Sequence, residues 1–396
     1  MTSEGGDLAL RWLAQHESEL IDVRRTLHAQ PELGRQEWAT TALLCERLEA
    51  AGLTPKVLAG GTGLVCDVGP AQGPVVALRA DIDALPLVDE KDVPYRSQVA
   101  GVAHACGHDV HTAGLLGTGL ALAAVSEQLP GRVRLIFQPA EEVMPGGALD
   151  VLAEGWLQDT SAIFGLHCDP SLDVGRVGVK SGPLTAAADA VQIRLTGPGG
   201  HTSRPHNTVD LVHALATVAT GLPDALSRLV DPRAGLAMVW GHVSAGVASN
   251  AIPREGVLRG TLRVLDKAAW QEAPGLVRRL VDGLVAPYGA VAEVTYERGV
   301  PPVVNDPAAT SLLTAAITTA LGAGAAVPTQ QSMGGEDFAW YLDRTPGAMA
   351  RLGVRPPGQV KTLDLHQGMF DVDEAAIGVA VRVLASAALA ALTAAQ

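Results

Sequence analysis

The stretch PVVALRA, residues 74–80, is a short and mainly apolar run of the kind that forms a buried strand. Three further runs have the same character, namely TGLVCDVG (62–69), RVRLIFQ (132–138) and SAIFGLH (161–167). Helical segments alternate with these runs, and one of them is expected at about residues 111–128. Alternating helices and buried strands predict an α/β domain with a mostly parallel sheet.

The middle of the chain follows a different order. An alternating strand, DAVQIRLTG (189–197), precedes a helix at about residues 209–226. Two strands come next, then a helix at about residues 267–288 and a last strand, AVAEVTYER (290–298). The order βαββαβ is typical of a ferredoxin-like antiparallel sheet with helices on one face.

The length of the chain favours more than one domain. A chain of 396 residues is too long for one simple core, so two domains are expected. We assign residues 1–185 and 300–396 to the α/β domain, and residues 186–299 to a small domain inserted into it. Hydrophobic residues make up 47% of the chain and charged residues 18%, which is typical of a folded protein rather than a disordered one.

Charge and cysteine content indicate which partners and which cellular compartment to expect. The formal net charge of −13 argues against nucleic acid or an anionic membrane, because phosphates require a basic surface. The first residues lack a basic segment followed by an apolar core, so no secretory signal is expected. The apolar runs are expected to be too short or too broken by glycine to span a bilayer. The 4 cysteines are widely spaced and form no disulfide framework, which indicates a reducing cytoplasm.

Acids and an imidazole follow the predicted strands directly. Asp81 and Asp83 come after the first quoted strand, Glu141 and Glu142 come after RVRLIFQ, and His167 ends SAIFGLH. In an open α/β sheet, ligands bind beyond the carboxyl ends of the strands. Several strands therefore deliver polar side chains to one edge of the sheet, and this edge is the predicted site.

The segment HACGHDVHTA, residues 104–113, holds three histidines, a cysteine and an aspartate. Cys106 and His108 are two residues apart, so they share a face in an extended or irregular segment but not on a helix. We therefore expect both in a loop before the helix, with Gly107 permitting unusual backbone angles. Asp109 is expected to cap that helix or to orient a ligand imidazole.

Two kinds of chemistry fit this cluster. A nucleophilic cysteine needs a base, but it has no need of two adjacent carboxylates such as Glu141 and Glu142. In a metal site, one of these acids can bind the metal while its neighbour acts as a general base, although the residues alone do not settle which does which. A thiolate with imidazoles suits zinc, cobalt or nickel, and an oxygen-rich surrounding favours manganese.

Further candidates lie later in the chain. His366 is in a loop-like setting, and Asp337 is expected to cap a helix. In the predicted inserted domain, a glycine-rich turn presents His201 and lacks the ending of a phosphate-binding loop. Asn250 follows a second turn, and Arg263 is either a charge on the strand surface or a clamp for a substrate carboxylate.

These motifs together resemble the binuclear metal-dependent N-acyl-amino-acid amidohydrolases. That family includes hippurate hydrolases, aminoacylases and the auxin-conjugate hydrolases of plants. The motifs that carry the resemblance are RADIDALP (79–86), HACGHDVHTA (104–113), QPAEE (138–142), GLH (165–167), GPGGHTSRPH (197–206), SNAIP (249–253), GGEDFAWY (334–341) and LHQGMF (365–370). They span nearly the whole chain in family order, so the combination is specific although each motif alone is weak.

The resemblance implies a mixed-sheet, metallopeptidase-like catalytic domain, with the inserted domain serving as a lid and as the contact of a homodimer. It implies two divalent metal ions, with Cys106 as the bridging ligand and Glu141 as the base. The implied ligands are Cys106, His108, Glu142, His167 and His366. Asp81 is implied as a carboxylate that supports the ligands without binding the metal itself. His201 from a partner subunit would stabilise the oxyanion. Asn250 and Arg263 are candidates for holding the substrate carboxylate.

The implied reaction is hydrolysis of the amide bond of an N-acyl amino acid, for example an N-acetyl or N-benzoyl derivative. A dipeptidase or carboxypeptidase of the same superfamily is the first alternative, and it would require recognition of a free substrate amine. A metal-stabilised binding protein without turnover is the second alternative. Glu141 argues against the second, because a binding module has no need of a base beside the ligands.

Overall fold

The computed structural model describes residues 3–359 and 363–396. The chain forms two compact units. The first unit comprises Met1–Gly182, Val304–Gln330 and Asp337–Gln396, and the second comprises Pro183–Val303 and Gln331–Glu336.

The helices and strands are numbered in chain order. The helices are α1 Ser3–Ala29, α2 Trp38–Ala50, α3 His108–Ala123, α4 Ala148–Ala153, α5 Leu211–Leu229, α6 Lys267–Val285, α7 Pro307–Leu321, α8 Ala339–Leu342 and α9 Ala375–Ala394. The strands are β1 Lys56–Val57, β2 Leu64–Val68, β3 Val75–Asp81, β4 Arg132–Gln138, β5 Thr160–Asp173, β6 Val177–Val179, β7 Gly182–Thr185, β8 Ala187–Thr196, β9 Gly200–His201, β10 Ala237–Ala245, β11 Ala251–Ile252, β12 Glu255–Val264, β13 Val291–Val300, β14 Val303–Asn305, β15 Ala326–Pro328 and β16 Gly347–Arg355.

The first unit is built on a sheet with the strand order β1-β2-β4-β3-β5-β16-β6-β15. The central strands β4, β3, β5 and β16 run parallel to one another. Strand β2 is antiparallel to β4, and β6 is antiparallel to β16. The sheet is therefore mixed, which confirms the fold class expected from the resemblance. Four of its seven neighbouring strand pairs are parallel, the three central ones and β6 with β15, as the strand pattern predicted for a mostly parallel sheet.

The apolar sequence of β3 is explained by its position inside this sheet, where all seven of its residues are buried. Helices α1, α3 and α9 pack together on the core. Glycines allow α3 to approach its neighbours closely, since a Cβ at Gly114 would lie 2.8 Å from Cβ of Ala380 and one at Gly119 would overlap Leu135. Contrary to the expectation for the apolar runs, helix α9 is long and apolar enough to cross a membrane, but 72% of its most apolar window is buried, as in the core helix of a folded domain.

Two boundaries near the predicted site differ from the expectation. Helix α3 begins at His108 rather than at about residue 111. Gly107, directly before it, takes a left-handed conformation with φ of 85°, and the loop ends there. His108 is therefore a helical residue, whereas Cys106 lies in the loop as expected. Strand β5 does not end at His167, because its pairing with β16 continues through Asp169.

The second unit is a four-stranded antiparallel sheet with the order β10-β12-β8-β13. Helices α5 and α6 connect its strands in the expected order βαββαβ and pack against each other. Each helix buries one stripe of apolar residues, including Leu215, Val218 and Leu222 on α5 and Val277 and Val281 on α6. Strands β9 and β11 form a separate two-stranded ribbon.

Candidate metal centre

The carboxyl ends of β4, β3 and β5 lie side by side. In the register of the parallel pairs, Asp81 is opposite Gln138 and Arg79 is opposite Gly165. The buried guanidinium of Arg79 donates hydrogen bonds to Oδ2 of Asp81 at 2.7 Å, Oδ1 of Asp337 at 2.7 Å and Oε1 of Gln138 at 2.9 Å. The predicted convergence of strand ends is therefore present, and Arg79 fixes it.

Asp337 does not cap the helix that follows it, contrary to the expectation. Helix α8 begins after Phe338, and no side chain caps it within the described residues. Oδ2 of Asp337 instead accepts a hydrogen bond from the N–H of Ala148, the first residue of α4, at 3.1 Å. The same carboxylate also accepts hydrogen bonds from Arg79 and from Nε2 of Gln138, both at 2.7 Å.

The structure brings all five expected metal ligands together in two groups. Candidate ligand atoms of Cys106, His108 and His167 lie within 4.8 Å of one another. The same holds for Cys106, Glu142 and His366, so the sulfur belongs to both groups. Sγ of Cys106 is 3.5 Å from Nε2 of His167, and Oε1 of Glu142 is 3.3 Å from Nε2 of His366. Sulfur, imidazole and carboxylate donors in this arrangement fit two cations that share one thiolate.

The hydrogen bonds of His108 also fit a cation. Its Nδ1 donates to the backbone oxygen of Asp83 at 2.9 Å, which leaves the lone pair on Nε2. Nε2 is buried and has no hydrogen-bond partner within the part of the chain that the structure describes. Carboxylate oxygens of Asp81, Glu141 and Glu142 lie 3.7, 3.9 and 4.0 Å from it. A metal ion at Nε2 would give this buried atom the partner that a buried polar atom requires.

The electrostatics of the cluster favour positive charge at its centre. Burial opposes protonation of His108, but the charges of Asp81 and Cys106 outweigh burial and raise its pKa well above the usual value. The side chains of Cys106 and Glu142 raise the pKa of His366 to about 10. Burial and the charge of Arg351 lower the pKa of His167, so this imidazole is already neutral. A cation would have to replace the protons that His108 and His366 hold, because an imidazole binds a metal in its neutral form.

The adjacent carboxylates of Glu141 and Glu142 are directed differently. Both carboxylates approach Nε2 of His108, Oε2 of Glu141 at 3.9 Å and Oε1 of Glu142 at 4.0 Å. Glu142 also lies 3.3 Å from Nε2 of His366 and so joins the second ligand group. The backbone N–H of Glu142 donates to Oδ2 of Asp83 at 2.9 Å, and this bond fixes the loop after β4. One acid therefore lies with the proposed ligands of the second group, and the other lies beside the centre where a base is useful.

Asp109 neither caps α3 nor orients a ligand imidazole. Its Oδ2 accepts hydrogen bonds from Nε of Arg24 and Nδ1 of His28, both at 2.7 Å. Helix α1 brings these two residues against α3, and their spacing of four places them on one helix face. That spacing is the signal in the sequence that could have identified the pair.

Residues in the second unit were expected to contact substrate. His201 lies exposed on β9, where its Nδ1 accepts a hydrogen bond from the N–H of Ser203 at 3.1 Å. Strand β9 pairs with β11 so that His201 is opposite Ala251, and Asn250 is the next residue. Arg263 is at the other end of β12 and donates to the backbone oxygen of Met333 at 2.6 Å. The structure thus brings His201 near Asn250, but not near Arg263.

The chain matches a family model described as Peptidase family M20/M25/M40 over residues 77–390. It is 39% identical to the N-acetylcysteine deacetylase of Bacillus subtilis, covering 94% of this chain and 96% of that protein. It is also 48% identical to a protein of Rhodococcus jostii named putative glutamate–cysteine ligase 2-3, over 93% of this chain and 46% of that protein. The chain therefore spans about half the length of that relative.

Among solved structures, the chain is similar to the YXEP protein of Bacillus subtilis, described as a dinuclear metal binding peptidase from the M20 family. The TM-score is 0.85 at 37% identity, with 96% of this chain and 99% of that chain covered. The chain therefore belongs to peptidase family M20/M25/M40 and is a metal-dependent hydrolase. This confirms the resemblance found in the sequence, and together with the two ligand groups it supports a centre for two divalent metal ions.

Proposed function

We propose that the chain hydrolyses the amide bond of N-acyl amino acids, with N-acetyl and N-benzoyl derivatives as substrates. The observation that carries this proposal is the buried carboxylate of Glu141 beside five side chains able to bind metal. The residues proposed to hold two ions of zinc, manganese, cobalt or nickel are Cys106, His108, Glu142, His167 and His366. Bound divalent cations polarise an amide carbonyl and make a water molecule more acidic.

Glu141 is the proposed general base and acid. Its Oε2 lies 3.9 Å from Nε2 of His108, which supports the proposal that it accepts a proton from the attacking water. It then returns this proton to the nitrogen of the leaving amine. Asp81 is held by Arg79 and His111 and lies 3.7 Å from Nε2 of His108, and its proposed part is to keep His108 oriented toward the centre.

The deacetylase name of the relative from Bacillus subtilis supports an N-acyl substrate. The word peptidase in the description of the similar structure favours a second candidate, hydrolysis of a dipeptide or of a terminal peptide bond. The two candidates differ in the group on the substrate nitrogen. A panel of N-acetyl, N-benzoyl and indoleacetyl amino acids beside unblocked dipeptides, each with added metals, separates them.

The test of the base is Glu141→Ala, with Glu127→Gln as an exposed control. We expect the alanine variant to keep its metal content and to lose about 10²–10⁴-fold in kcat, because general-base catalysis contributes on that scale. Metal content by mass spectrometry and hydrolysis of N-acyl amino acids are the measurements. If the alanine variant keeps its metal and hydrolyses these substrates as fast as the parent, the proposal is wrong.

The second unit is proposed to act as a lid and to form a homodimer. Arg263 is eight residues along β12 from Glu255, a distance of about 27 Å in an extended strand. Asn250 precedes β12, so Asn250 and Arg263 of the same chain are too far apart to bind one substrate carboxylate together. Strand β10 lies at the edge of its sheet with Val239 and Val243 62% and 66% exposed, which supports a protein contact there.

A mixture of two inactive variants tests the proposed role of His201 in stabilising the oxyanion in a partner subunit. We expect Glu141→Ala and His201→Ala chains, each nearly inactive, to regain about a quarter of parental activity when mixed and re-associated, because half of the dimers then contain one intact site. No recovery from a mixture shown to exchange subunits would exclude a shared site.

The four free cysteines support a reducing cytoplasm as the proposed location.

A further inference from the structure

Glu37 is a buried carboxylate whose side chain does not serve its own helix. It immediately precedes α2, at the N-cap position, but makes no cap there. Glu32 performs that task, because its carboxylate oxygens accept hydrogen bonds from the N–H groups of Ala39 at 3.0 Å and Thr40 at 2.8 Å. Oε1 of Glu37 instead accepts a hydrogen bond from the N–H of Ala140 at 2.7 Å.

Ala140 is the residue directly before Glu141 and Glu142, and its backbone is strained. Its φ is 53°, in the left-handed region that a residue with a Cβ rarely adopts. Both of its backbone polar groups are held, the N–H by Glu37 and the carbonyl by the N–H of Gly147 at 3.0 Å. A relaxed conformation at Ala140 would redirect the chain that follows, and with it both carboxylates.

The other end of this short loop is held by a different acid. Oδ2 of Asp83 accepts the N–H of Glu142 at 2.9 Å, while the backbone oxygen of Asp83 accepts Nδ1 of His108. Two buried carboxylates therefore fix the segment between them, and Glu37 belongs to none of the candidate ligand groups found among the described residues. Burial raises the pKa of Glu37, so keeping this carboxylate ionised inside the protein costs free energy. The cap of α2 does not account for that cost, because Glu37 makes no cap there.

We propose that Glu37 is a positioning residue, which holds Ala140 in its left-handed conformation and so directs Glu141 toward the reacting water and Glu142 toward the metal. The role of Glu37 in directing Glu141 rests on the proposed function. Its role in directing Glu142 toward the metal does not depend on which substrate is hydrolysed. Hydrogen-bonded groups behind a metal ligand commonly change metal affinity or activity by about 10–100-fold when removed.

The test compares Glu37→Gln with Glu37→Asp. Glutamine keeps an acceptor oxygen at the same reach, so kcat and both metal affinities should stay within about threefold of the parent. Aspartate keeps the charge but is one methylene shorter, which leaves the N–H of Ala140 without its partner. We expect this variant to lose about 10–100-fold in kcat and in affinity for the more weakly bound ion, with KM nearly unchanged. Stepwise zinc binding by calorimetry and steady-state kinetics are the measurements.

Glu32→Asp is the matched control, because it weakens the cap of α2 without touching Ala140. It should lower the melting temperature while leaving zinc binding and kcat unchanged. Parental kcat and zinc affinity in a folded Glu37→Asp chain would overturn the inference, as would equal losses in the glutamine and aspartate variants. If the parent hydrolyses none of the substrates, the proposed function fails, and the zinc titrations still decide the role of Glu37.

Discussion

Nδ1 of His111 lies 2.5 Å from Oδ1 of Asp81, and Nε2 of the same ring accepts a hydrogen bond from the N–H of Cys168 at 2.8 Å. The imidazole therefore carries its proton on Nδ1 and joins the end of β3 to the middle of β5. Cys168 directly follows His167, one of the proposed ligands. His111 thus connects the carboxylate near one ligand with the backbone near another.

Replacing His111 by alanine is expected to lower both stability and metal affinity. The change leaves the carboxylate of Asp81 and the N–H of Cys168 without this partner in the interior, at a cost of about 1–3 kcal/mol or more. Metal affinity should fall about 10–100-fold, because the ligands lose their support. Thermal unfolding and zinc titration measure the two effects. His213→Ala, at an exposed position of α5, is the control, and identical behaviour of the two variants would contradict the prediction.

Replacing Cys106 by serine should weaken both metal sites together. The sulfur belongs to both ligand groups, and a serine hydroxyl does not ionise as a thiol does at a metal. We expect both zinc-binding steps to weaken by about 10–100-fold or more. Cys66→Ala, buried in β2, controls for loss of a thiol. Loss of one ion with parental affinity for the other would show that the sulfur is not shared.

Replacing Gly147 by alanine should distort the loop that carries Glu141. A Cβ at this position would overlap the carbonyl oxygen of Pro139, a backbone atom that cannot rotate away. We expect a loss of stability of about 1–3 kcal/mol together with a fall in kcat. Gly60→Ala is the matched control, because a Cβ there meets no atom within 4 Å. A Gly147→Ala chain with parental melting temperature and kcat would show that the loop has room to move.

Asp89 should make the fold sensitive to acid. Burial opposes its ionisation, but hydrogen bonds from His28, Ser97 and Lys91 outweigh burial and hold its pKa below the usual range. A lowered pKa in the folded state stabilises the fold above the unfolded value of about 3.9, and this contribution is lost as the pH falls below it.

The variant Asp89→Asn isolates this contribution. It should be less stable than the parent at pH 7, where His28 and Lys91 lose their anion. The difference should shrink as the pH falls below about 5, because the unfolded parent chain then takes up a proton on Asp89 while the folded chain stays ionised. Melting temperatures of both chains across this range are the measurement. A difference that does not change with pH would assign the effect to packing instead.

Sequence patterns predicted the central strands and the cluster of Cys106 and His108 because that information is local. A short apolar run such as residues 74–80 indicates a buried strand from its own composition, and an acid directly after it must lie at the strand end. The cluster of Cys106 and His108 was recognisable from residue type and spacing. Their meeting with His167 and His366 follows from the resemblance rather than from any local pattern.

Other features could not be predicted, because they depend on partners far along the chain. Strand β5 continues beyond His167 since it pairs with β16, which lies almost two hundred residues later. The carboxylate of Glu37 meets Ala140 across 103 positions, and nothing near Glu37 indicates this. Asp109 was expected to serve α3, but Arg24 and His28 of α1 offered a charged partner, and charge-assisted hydrogen bonds are stronger than a cap.

The presence of one sulfur in both ligand groups has a consequence for how protons leave the protein. A thiol must ionise before it can bind a cation, and it can do so only once. In the proposed centre, Cys106 would therefore give up its proton when one ion is bound, and it would already be a thiolate toward a second. The affinity for the first ion should therefore increase with rising pH. The affinity for the second ion should depend on the protonation of the imidazole and the carboxylate in its own ligand group.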